Sequence, residues 1–343
     1  MFSIDHIKIK VPDIQTACTM FENIWHFQVI SSQTPSRETE TSSVLLQHND
    51  IYVILEQNSS SEHNRKNSFI QDVAFRIEDL DLLVKNLLKA GSQLTHSPQT
   101  FKNSNGSVKI ATAKLFGNVT HTFIERTGKT DCFFPGHENA QSKKKKNSLL
   151  QNIDHIAIAL EKDNGEKWKN FYLVVLHCQL KNTLTVDTTH SGMKSIVIEK
   201  NDVKFVLLEP KSGKKKSQIQ SFIENNGGPG IQHIAFNTSN ICQSVKTFSS
   251  NGMDFLQAPK PYYDNLKEKN KTLPLNMKEL ETLNILVEME GVHCLLQTFT
   301  KPLWGDNTFF FELIQRNGVD GFGENNVKSL FESIEKLELE EAI

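Results

Sequence analysis

Two histidines and a glutamate in the second half of the chain have the residue types and the spacing of a metal site. They are His155 in IDHIAIAL, His233 in GPGIQHIAF and Glu312 in TFFFELIQR. Each lies in a short β-like run, and two imidazoles with one carboxylate can bind iron(II) on one face, which leaves positions for a substrate and for oxygen. A single histidine in a strand is more often a packed core residue than a ligand. Whether the three residues are metal ligands or core residues therefore depends on the strands and helices around them.

The strands that would carry these residues belong to an internal repeat. The segment 4–9, IDHIKI, recurs as 153–158, IDHIAI, and the segment 70–75 is echoed more weakly by 231–236. Each copy is followed by a polar residue that can cap a helix and then by a helical pattern of apolar residues. The sequence therefore predicts one structural unit that is written four times.

Helix ends and further β-like runs complete each predicted unit. Asp13, Asp79 and Ser239 are the predicted helix N-caps, and Gly91 and Gly252 stand where helix C-termini favour glycine. Runs such as VKFVLLEP and HCLLQTF follow the helices. We therefore expect an α+β fold of four βαβββ units, in which pairs of units curl into two open barrels.

The two predicted barrels differ where a metal would be bound. His6 in the first half stands where His155 stands in the second, but Asp72 and Thr122 replace the other two candidate ligands. We therefore expect the metal site only in the C-terminal barrel.

The length of 343 residues allows two domains. We expect an N-terminal barrel without a metal site over 1–138, a polar linker over 139–150 and a C-terminal catalytic barrel over 151–343. The chain from Asn325 onward is predicted to form an amphipathic helix across the mouth of the second barrel, although core packing alone explains its apolar face equally well. The apolar positions of this helix are Val327, Leu330, Phe331, Ile334 and Leu337.

Composition and charge argue against several classes of partner. The chain has 38 Lys and Arg against 40 Asp and Glu, a formal charge of −2, so we expect neither nucleic acid nor an anionic membrane as partner. No apolar run reaches the ~20 residues that span a bilayer. The N-terminus lacks the pattern of a secretory signal. Five scattered cysteines without CxxC spacing predict reduced thiols in a cytoplasmic protein.

Several ordered motifs make the chain resemble a known enzyme family. They are SGMKS, EPKSGKKKSQIQSFIENNGGPGIQHIAFNT, PYYDNL, LLQTFTKP, FFFELIQR and GFGENN. Together they resemble the family of 4-hydroxyphenylpyruvate dioxygenase and 4-hydroxymandelate synthase, which has the vicinal-oxygen-chelate fold. The resemblance runs over nearly the whole chain and is densest from Ser191 onward.

The resemblance implies a cofactor, substrates and a set of site residues. Fe(II) would be bound by His155, His233 and Glu312, and the reactants would be a small 2-oxo acid, 4-hydroxyphenylpyruvate, and O2, with decarboxylation and hydroxylation of that acid. The catalytic residues would be Gln297, Gln218 and Ser195, and the substrate-binding residues would be Gln232, Leu208, Phe299, Phe310, Phe322 and Val327. The family also implies a possible homo-oligomer.

Two departures from the homogentisate-forming pattern bear on the product. That pattern has an Asn where this chain has Leu208 and a Phe where it has Val327. Aliphatic residues at both places resemble the mandelate-forming branch, and a smaller side chain would allow the aromatic ring of the reacting molecule to rotate. We therefore favour 4-hydroxymandelate as the product. Homogentisate, as formed in tyrosine breakdown, and another 2-oxo acid substrate remain alternatives, since the two changes are also compatible with neutral drift.

Other interpretations of the same residues are less favoured. A non-catalytic binding module on this fold would leave two histidines and a glutamate buried without a metal. A zinc or nickel isomerase would need four protein ligands, and only three are found. Tyr262 and Tyr263 in PYYDNL are interpreted as packing and hydrogen-bonding residues and not as an acid or a base.

Overall fold

The computed structural model of the chain describes residues 2–34, 41–58, 68–103, 106–128, 137, 148–187, 191–258, 262–264, 266, 275–304, 309–323 and 326–328. These residues form two eight-stranded sheets, one from each half of the chain. Most of the predicted linker, 139–147, and the predicted C-terminal helix beyond residue 328 lie outside the described residues.

The first sheet is built from two βαβββ units. The first unit comprises β1 (Ser3–Lys10), α1 (Ile14–Asn23), β2 (Gln28–Gln33), β3 (Thr41–His48) and β4 (Ile51–Asn58), and the second comprises β5 (Phe69–Ile77), α2 (Leu80–Lys89), β6 (Leu94–Asn103), β7 (Gly106–Lys114) and β8 (Thr120–Gly128).

The second sheet repeats this order with one additional helix between its units and another within the last unit. It comprises β9 (Ile153–Ala159), α3 (Gly165–Val174), β10 (Gln179–Asp187), β11 (Gly192–Lys200), β12 (Val203–Lys211), α4 (Gln218–Asn226), β13 (Gly230–Asn237), α5 (Ile241–Ser250), α6 (Met277–Thr282), β14 (Leu286–Glu290), β15 (His293–Phe299) and β16 (Phe310–Asn317).

Both sheets have the same strand order. It is β2-β3-β4-β1-β5-β8-β7-β6 in the first sheet and β10-β11-β12-β9-β13-β16-β15-β14 in the second. The first strands of the two units lie side by side and antiparallel at the centre, and each pairs in parallel with the last strand of its own unit. The predicted fold of four βαβββ units in two open barrels is therefore confirmed.

Two of the three predicted helix N-caps are confirmed. The side chains of Asp13 and Asp79 accept hydrogen bonds from backbone N–H groups in the first turns of α1 and α2. The prediction for α5 was wrong by one residue, because Asn240 and not Ser239 accepts from the Gln243 N–H. The side-chain oxygen of an asparagine directly before a helix can accept from a backbone N–H of the first turn that has no partner within the helix, as a serine hydroxyl can.

The two halves share one hydrophobic core. Trp25, at the end of α1, is fully buried, and its ring contacts Phe248 and Phe311 of the second half at centroid distances of 4.7 and 5.1 Å. A second contact between the halves joins Nε2 of His121, in β8, to the hydroxyl of Tyr172, in α3, at 2.9 Å. The first half therefore supports the outer faces of the strands that carry the candidate ligands.

Candidate metal centre

Three central strands of the second sheet place two of the candidate ligands in one row. In the strand register, Ala235 of β13 pairs with His155 of β9 on one side and with Glu312 of β16 on the other. Residues that pair across strands project from the same face of a sheet. Because Ala235 is small, the space between the imidazole and the carboxylate stays open. His233, two residues earlier in β13, projects from the same face.

A β-bulge in β13 brings one more polar side chain to this face. Ile231 pairs with Ile158 and His233 pairs with Ala157, so Gln232 is the extra residue. Gln232 and His233 both line the same cavity, although they are consecutive in a strand. The Oε1 atom of Gln232 lies 3.3 Å from Nδ1 of His233. The bulge therefore accounts for two neighbouring site residues.

The three candidate ligands converge and are buried. Their ligand atoms all lie within 4.8 Å of one another. The Oε2 atom of Glu312 is 3.2 Å from Nε2 of His155 and 3.5 Å from Nε2 of His233. The structure thus brings together the residues that the sequence analysis selected as iron ligands, with three donor atoms directed at one point.

An ion pair fixes the orientation of His155. Its Nδ1 atom lies 2.9 Å from Oδ1 of Asp154, and Asp154 accepts two hydrogen bonds from the guanidinium group of Arg316, at 2.7 and 2.8 Å. Arg316 also donates to the carbonyl oxygens of Val319 and Gly321. A proton on Nδ1 leaves the Nε2 lone pair for a metal, which is the usual function of a carboxylate behind a metal-binding histidine.

The charges of the three groups are strongly coupled. Burial disfavours the charged form of each group, but the opposite charges of Glu312 and His155 raise the pKa of His155 to about 9 and lower that of Glu312 to about 2. Burial lowers the pKa of His233. Without a metal, one proton on His155 therefore balances the Glu312 carboxylate, and a divalent cation would replace it.

A cavity of about 370 Å³ opens over these ligands. Its wall contains Ser195, Gln232, Leu208, Gln297, Phe299, Phe322 and Val327, all selected from the sequence. Phe310 pairs with His233 in the register of β13 and β16, and its ring stacks on that histidine at 4.9 Å between centroids, but it is not among the described residues that line the cavity. Gln218 is buried in the first turn of α4 and is not among the described residues that line the cavity. The functions assigned to these residues remain predictions.

Several residues that contact the site were not predicted from the sequence. Asp154 and Arg316 hold His155, and Asn326 donates to Gln297. Asp154 and Arg316 could have been found from the sequence. The repeated segment IDHI contains the aspartate in both halves, and β8 and β16 have an arginine at equivalent positions. Further cavity residues that were missed are Asn182, Leu184, Met193, Val197, Val206, Glu288, Glu290, Gly321 and Gly323.

The first half has the same strand pairing as the second, but two of the three candidate metal ligands are replaced there. Ala74 pairs with His6 and with Thr122, as Ala235 pairs with His155 and Glu312, so the predicted alignment of Thr122 with Glu312 is confirmed.

Charged side chains also fill the region of the first sheet that corresponds to the cavity. Lys10 pairs with Glu56 in the register in which Ala159 pairs with Leu208, and the Lys10 ammonium lies 2.9 Å from the Glu56 carboxylate. Lys8 approaches the same carboxylate at 3.3 Å. Long charged side chains thus stand at the strand positions where the second half has alanine and leucine.

The donor set fits iron(II). Two imidazole nitrogens and one carboxylate oxygen, held on one side of an open cavity, match the two-histidine, one-carboxylate set that binds non-haem iron. Three protein donors leave positions for other ligands, unlike a closed four-ligand structural site.

Comparisons with known proteins agree with this geometry. The sequence model of the Glyoxalase/Bleomycin resistance protein/Dioxygenase superfamily matches residues 152–270. The 4-hydroxyphenylpyruvate dioxygenase of Danio rerio is 36% identical over 96% of this chain and 89% of its own length. The enzyme of the same name from Dictyostelium discoideum is 32% identical over 98% of both chains. A solved mutant of 4-hydroxymandelate synthase from Streptomyces coelicolor shares the fold, with a TM-score of 0.84 over 98% of both chains at 24% identity.

Among the described residues, no helix is both long and apolar enough to cross a membrane.

Proposed function

This chain belongs to the 4-hydroxyphenylpyruvate dioxygenase family, whose members are Fe(II)-dependent dioxygenases, and we propose that it oxidatively decarboxylates 4-hydroxyphenylpyruvate. The observation that carries this proposal is the convergence of His155, His233 and Glu312 at the floor of a partly apolar cavity. Fe(II) is the proposed cofactor, and O2 is the proposed second substrate.

The protein groups around the site suit this reaction. When bound, iron(II) would supply a Lewis acid for the keto and carboxylate oxygens of a 2-oxo acid and a redox centre for oxygen activation, while the electrons that reduce O2 would come from decarboxylation and hydroxylation of the substrate. Ser195, Gln232 and Gln297 place hydrogen-bonding groups on the cavity wall, where they can orient the substrate. The rings of Phe299 and Phe322 make part of the wall apolar, which suits an aromatic substrate and can keep water from the reacting groups.

Homogentisate is the product that the relatives favour. The curated relatives named above, at 32% and 36% identity, are 4-hydroxyphenylpyruvate dioxygenases. By resemblance to that family, hydroxylation would take place on the aromatic ring.

A specific feature of the cavity supports a second product, 4-hydroxymandelate. Leu208 and Val327 both line the cavity. A Val in place of a Phe removes volume equal to several methylenes, and a Leu in place of an Asn removes a polar contact. Both changes favour rotation of the ring away from the metal, which presents the benzylic carbon for hydroxylation.

We further propose that residues 1–138 support the catalytic half, 151–343, and take no part in the chemistry. The support for this division is the Lys8, Lys10 and Glu56 group, which fills the first sheet where the second has its cavity. A reducing, cytoplasmic location is consistent with the free thiols of Cys18, Cys178, Cys242 and Cys294.

Chromatography of the products tests the proposed function. The protein is loaded with Fe(II), supplied with 4-hydroxyphenylpyruvate and oxygen, and the products are separated, because homogentisate and 4-hydroxymandelate have the same mass. Either product supports the dioxygenase, and its identity decides between the two candidates. Consumption of another 2-oxo acid, but not of 4-hydroxyphenylpyruvate, would overturn the substrate assignment.

A further inference from the structure

A chain of side-chain hydrogen bonds leads away from the carboxylate of Glu312. Gln297 Nε2 lies 2.9 Å from Oε1 of Glu312, and Asn326 Nδ2 lies 2.8 Å from Oε1 of Gln297. The hydroxyl of Tyr262 lies 2.8 Å from Oδ1 of Asn326. It also lies 2.6 Å from the backbone nitrogen of Val287 and 2.7 Å from its carbonyl oxygen, which ties the end of the chain to β14.

The ionised carboxylate at one end gives this chain a single direction. Glu312 can only accept hydrogen bonds, so the Gln297 amide must present its NH2 group to it. The Gln297 oxygen then needs a donor, which Asn326 supplies. The single proton of the Tyr262 hydroxyl is shared between two acceptors, Oδ1 of Asn326 and the Val287 carbonyl oxygen, while the hydroxyl oxygen accepts from the Val287 N–H. Any reversed amide would place two oxygens against each other in a buried site, which costs free energy.

Only one oxygen of Glu312 takes part in this chain. Oε1 accepts from Gln297, whereas Oε2 is the atom that faces both histidines. The carboxylate is therefore held with one oxygen bound by protein and the other directed to the metal position.

In the part of the first half that the structure describes, this chain has no counterpart, unlike the ion pair behind His155. Asp5, His6 and Arg126 repeat the Asp154, His155 and Arg316 arrangement in a half that lacks the metal ligands, so that arrangement belongs to the fold. The position equivalent to Gln297 in β7 is Ile110, which has no polar group.

The backbone next to Asn326 leaves room for the two amides. Gly323 has a φ of +70°, and a Cβ atom there would lie 2.1 Å from Oε1 of Gln297 and 3.2 Å from Nδ2 of Asn326. A glycine at this place permits both the left-handed turn and the contact between the amides.

We propose that Tyr262 and Asn326 are positioning residues, which hold Gln297 so that one oxygen of Glu312 stays occupied and only the other is offered to the metal. The positions that a 2-oxo acid needs are thereby kept free. This inference rests on the proposed function. Without Tyr262, Asn326 and Gln297 can reorient, and the released carboxylate can turn both oxygens towards the metal, where they compete with the substrate.

The test separates metal binding from substrate binding. Tyr262→Phe is compared with wild type and with Tyr263→Phe, a matched control whose hydroxyl donates to the Ile285 carbonyl at 3.1 Å and takes no part in the chain. Each protein is titrated with Fe(II) without oxygen and then with 4-hydroxyphenylpyruvate, and the visible charge-transfer absorption of the ferrous 2-oxo acid chelate is followed.

We expect Tyr262→Phe to bind Fe(II) within about threefold of wild type but the 2-oxo acid about tenfold more weakly, the scale of one lost hydrogen bond to a polar network. Tyr263→Phe should match wild type in both titrations. Asn326→Ala should behave as Tyr262→Phe does.

Either of two results for Tyr262→Phe would overturn the inference by itself. Unchanged chelation in Tyr262→Phe would show that the chain does not control substrate binding, and an equal loss of metal and substrate binding would show a general structural defect. If the wild type itself forms no chelate with 4-hydroxyphenylpyruvate, the proposed function fails, and the inference that rests on it fails too.

Discussion

At the scale of single residues, a proton on His155 supplies the positive charge that balances Glu312 when no metal is bound. Its pKa is raised to about 9, while Glu312 is ionised far below neutral pH and burial keeps His233 neutral. The metal-free site at pH 7 therefore holds one proton, which a metal ion must displace before Nε2 can act as a ligand.

We predict that divalent metal binding at pH 7 releases about one proton per site. Because the pKa of His155 is raised, the proton stabilises the metal-free site below about pH 9, so the metal affinity should increase about tenfold per pH unit up to that pH. Calorimetric titration with Co(II) in buffers of different ionisation enthalpy measures the release. Binding heats that do not depend on the buffer would show that His155 is already neutral.

A second prediction at this scale concerns the size and polarity of the cavity wall. If the wild type forms 4-hydroxymandelate, Val327→Phe combined with Leu208→Asn should shift the product towards homogentisate, because the ring can no longer rotate. The product ratio by chromatography is the measurement. A ratio that does not change would show that Leu208 and Val327 do not control which carbon is hydroxylated.

At the scale of elements, the duplicated strands carry the site. His155, Ala235 and Glu312 form a row across β9, β13 and β16, and the same row in the first half contains His6, Ala74 and Thr122. Both rows have an arginine that holds the aspartate before the histidine. The duplication provides an internal control for experiments on the catalytic half.

We predict that Arg316→Lys lowers the metal affinity about 10- to 100-fold, because a lysine cannot make the paired hydrogen bonds that hold Asp154 behind His155. Arg126→Lys, the matched change behind His6, should reduce thermal stability but leave the metal affinity unchanged. The affinities are measured by titration with Co(II). Equal losses of affinity in both variants would show that the effect is one of global stability.

The sequence allowed the central strands to be predicted better than the edges. Buried strands such as β12, VKFVLLEPK, show long apolar runs. The edge strand β2, QVISSQ, is only partly buried and the edge strand β10, QLKNTLTVD, is largely exposed, and no individual run predicted either of them. The metal ligands were predictable because the repeated segments mark their strands. The bulge at Gln232 and the contacts of Asn326 and Tyr262 were not, because they depend on register and on residues distant in sequence.

At the scale of the whole molecule, the first half stabilises the second through their shared core. Trp25 is fully buried among Phe236, Phe248 and Phe311, which lie on α5 and on the outer faces of β13 and β16. These two strands carry His233 and Glu312 on their other faces. The packing of Trp25 therefore supports the metal site from behind.

We predict that Trp25→Ala destabilises the whole chain by about 3–5 kcal/mol, the usual cost of truncating a buried aromatic residue. Because the core is continuous, unfolding should remain a single transition in urea, followed by circular dichroism. Trp168→Ala, at a partly exposed ring, is the control and should cost less. Two separate transitions in the wild type would show that the halves unfold independently.

The iron content of the purified chain after loading with Fe(II), measured by elemental analysis, tests the metal centre most directly. We predict one iron per chain in the wild type, the same in His6→Ala, and almost none in Glu312→Ala. Iron that stays bound to Glu312→Ala, or a wild type that binds none, would contradict the assignment of His155, His233 and Glu312 as the metal centre.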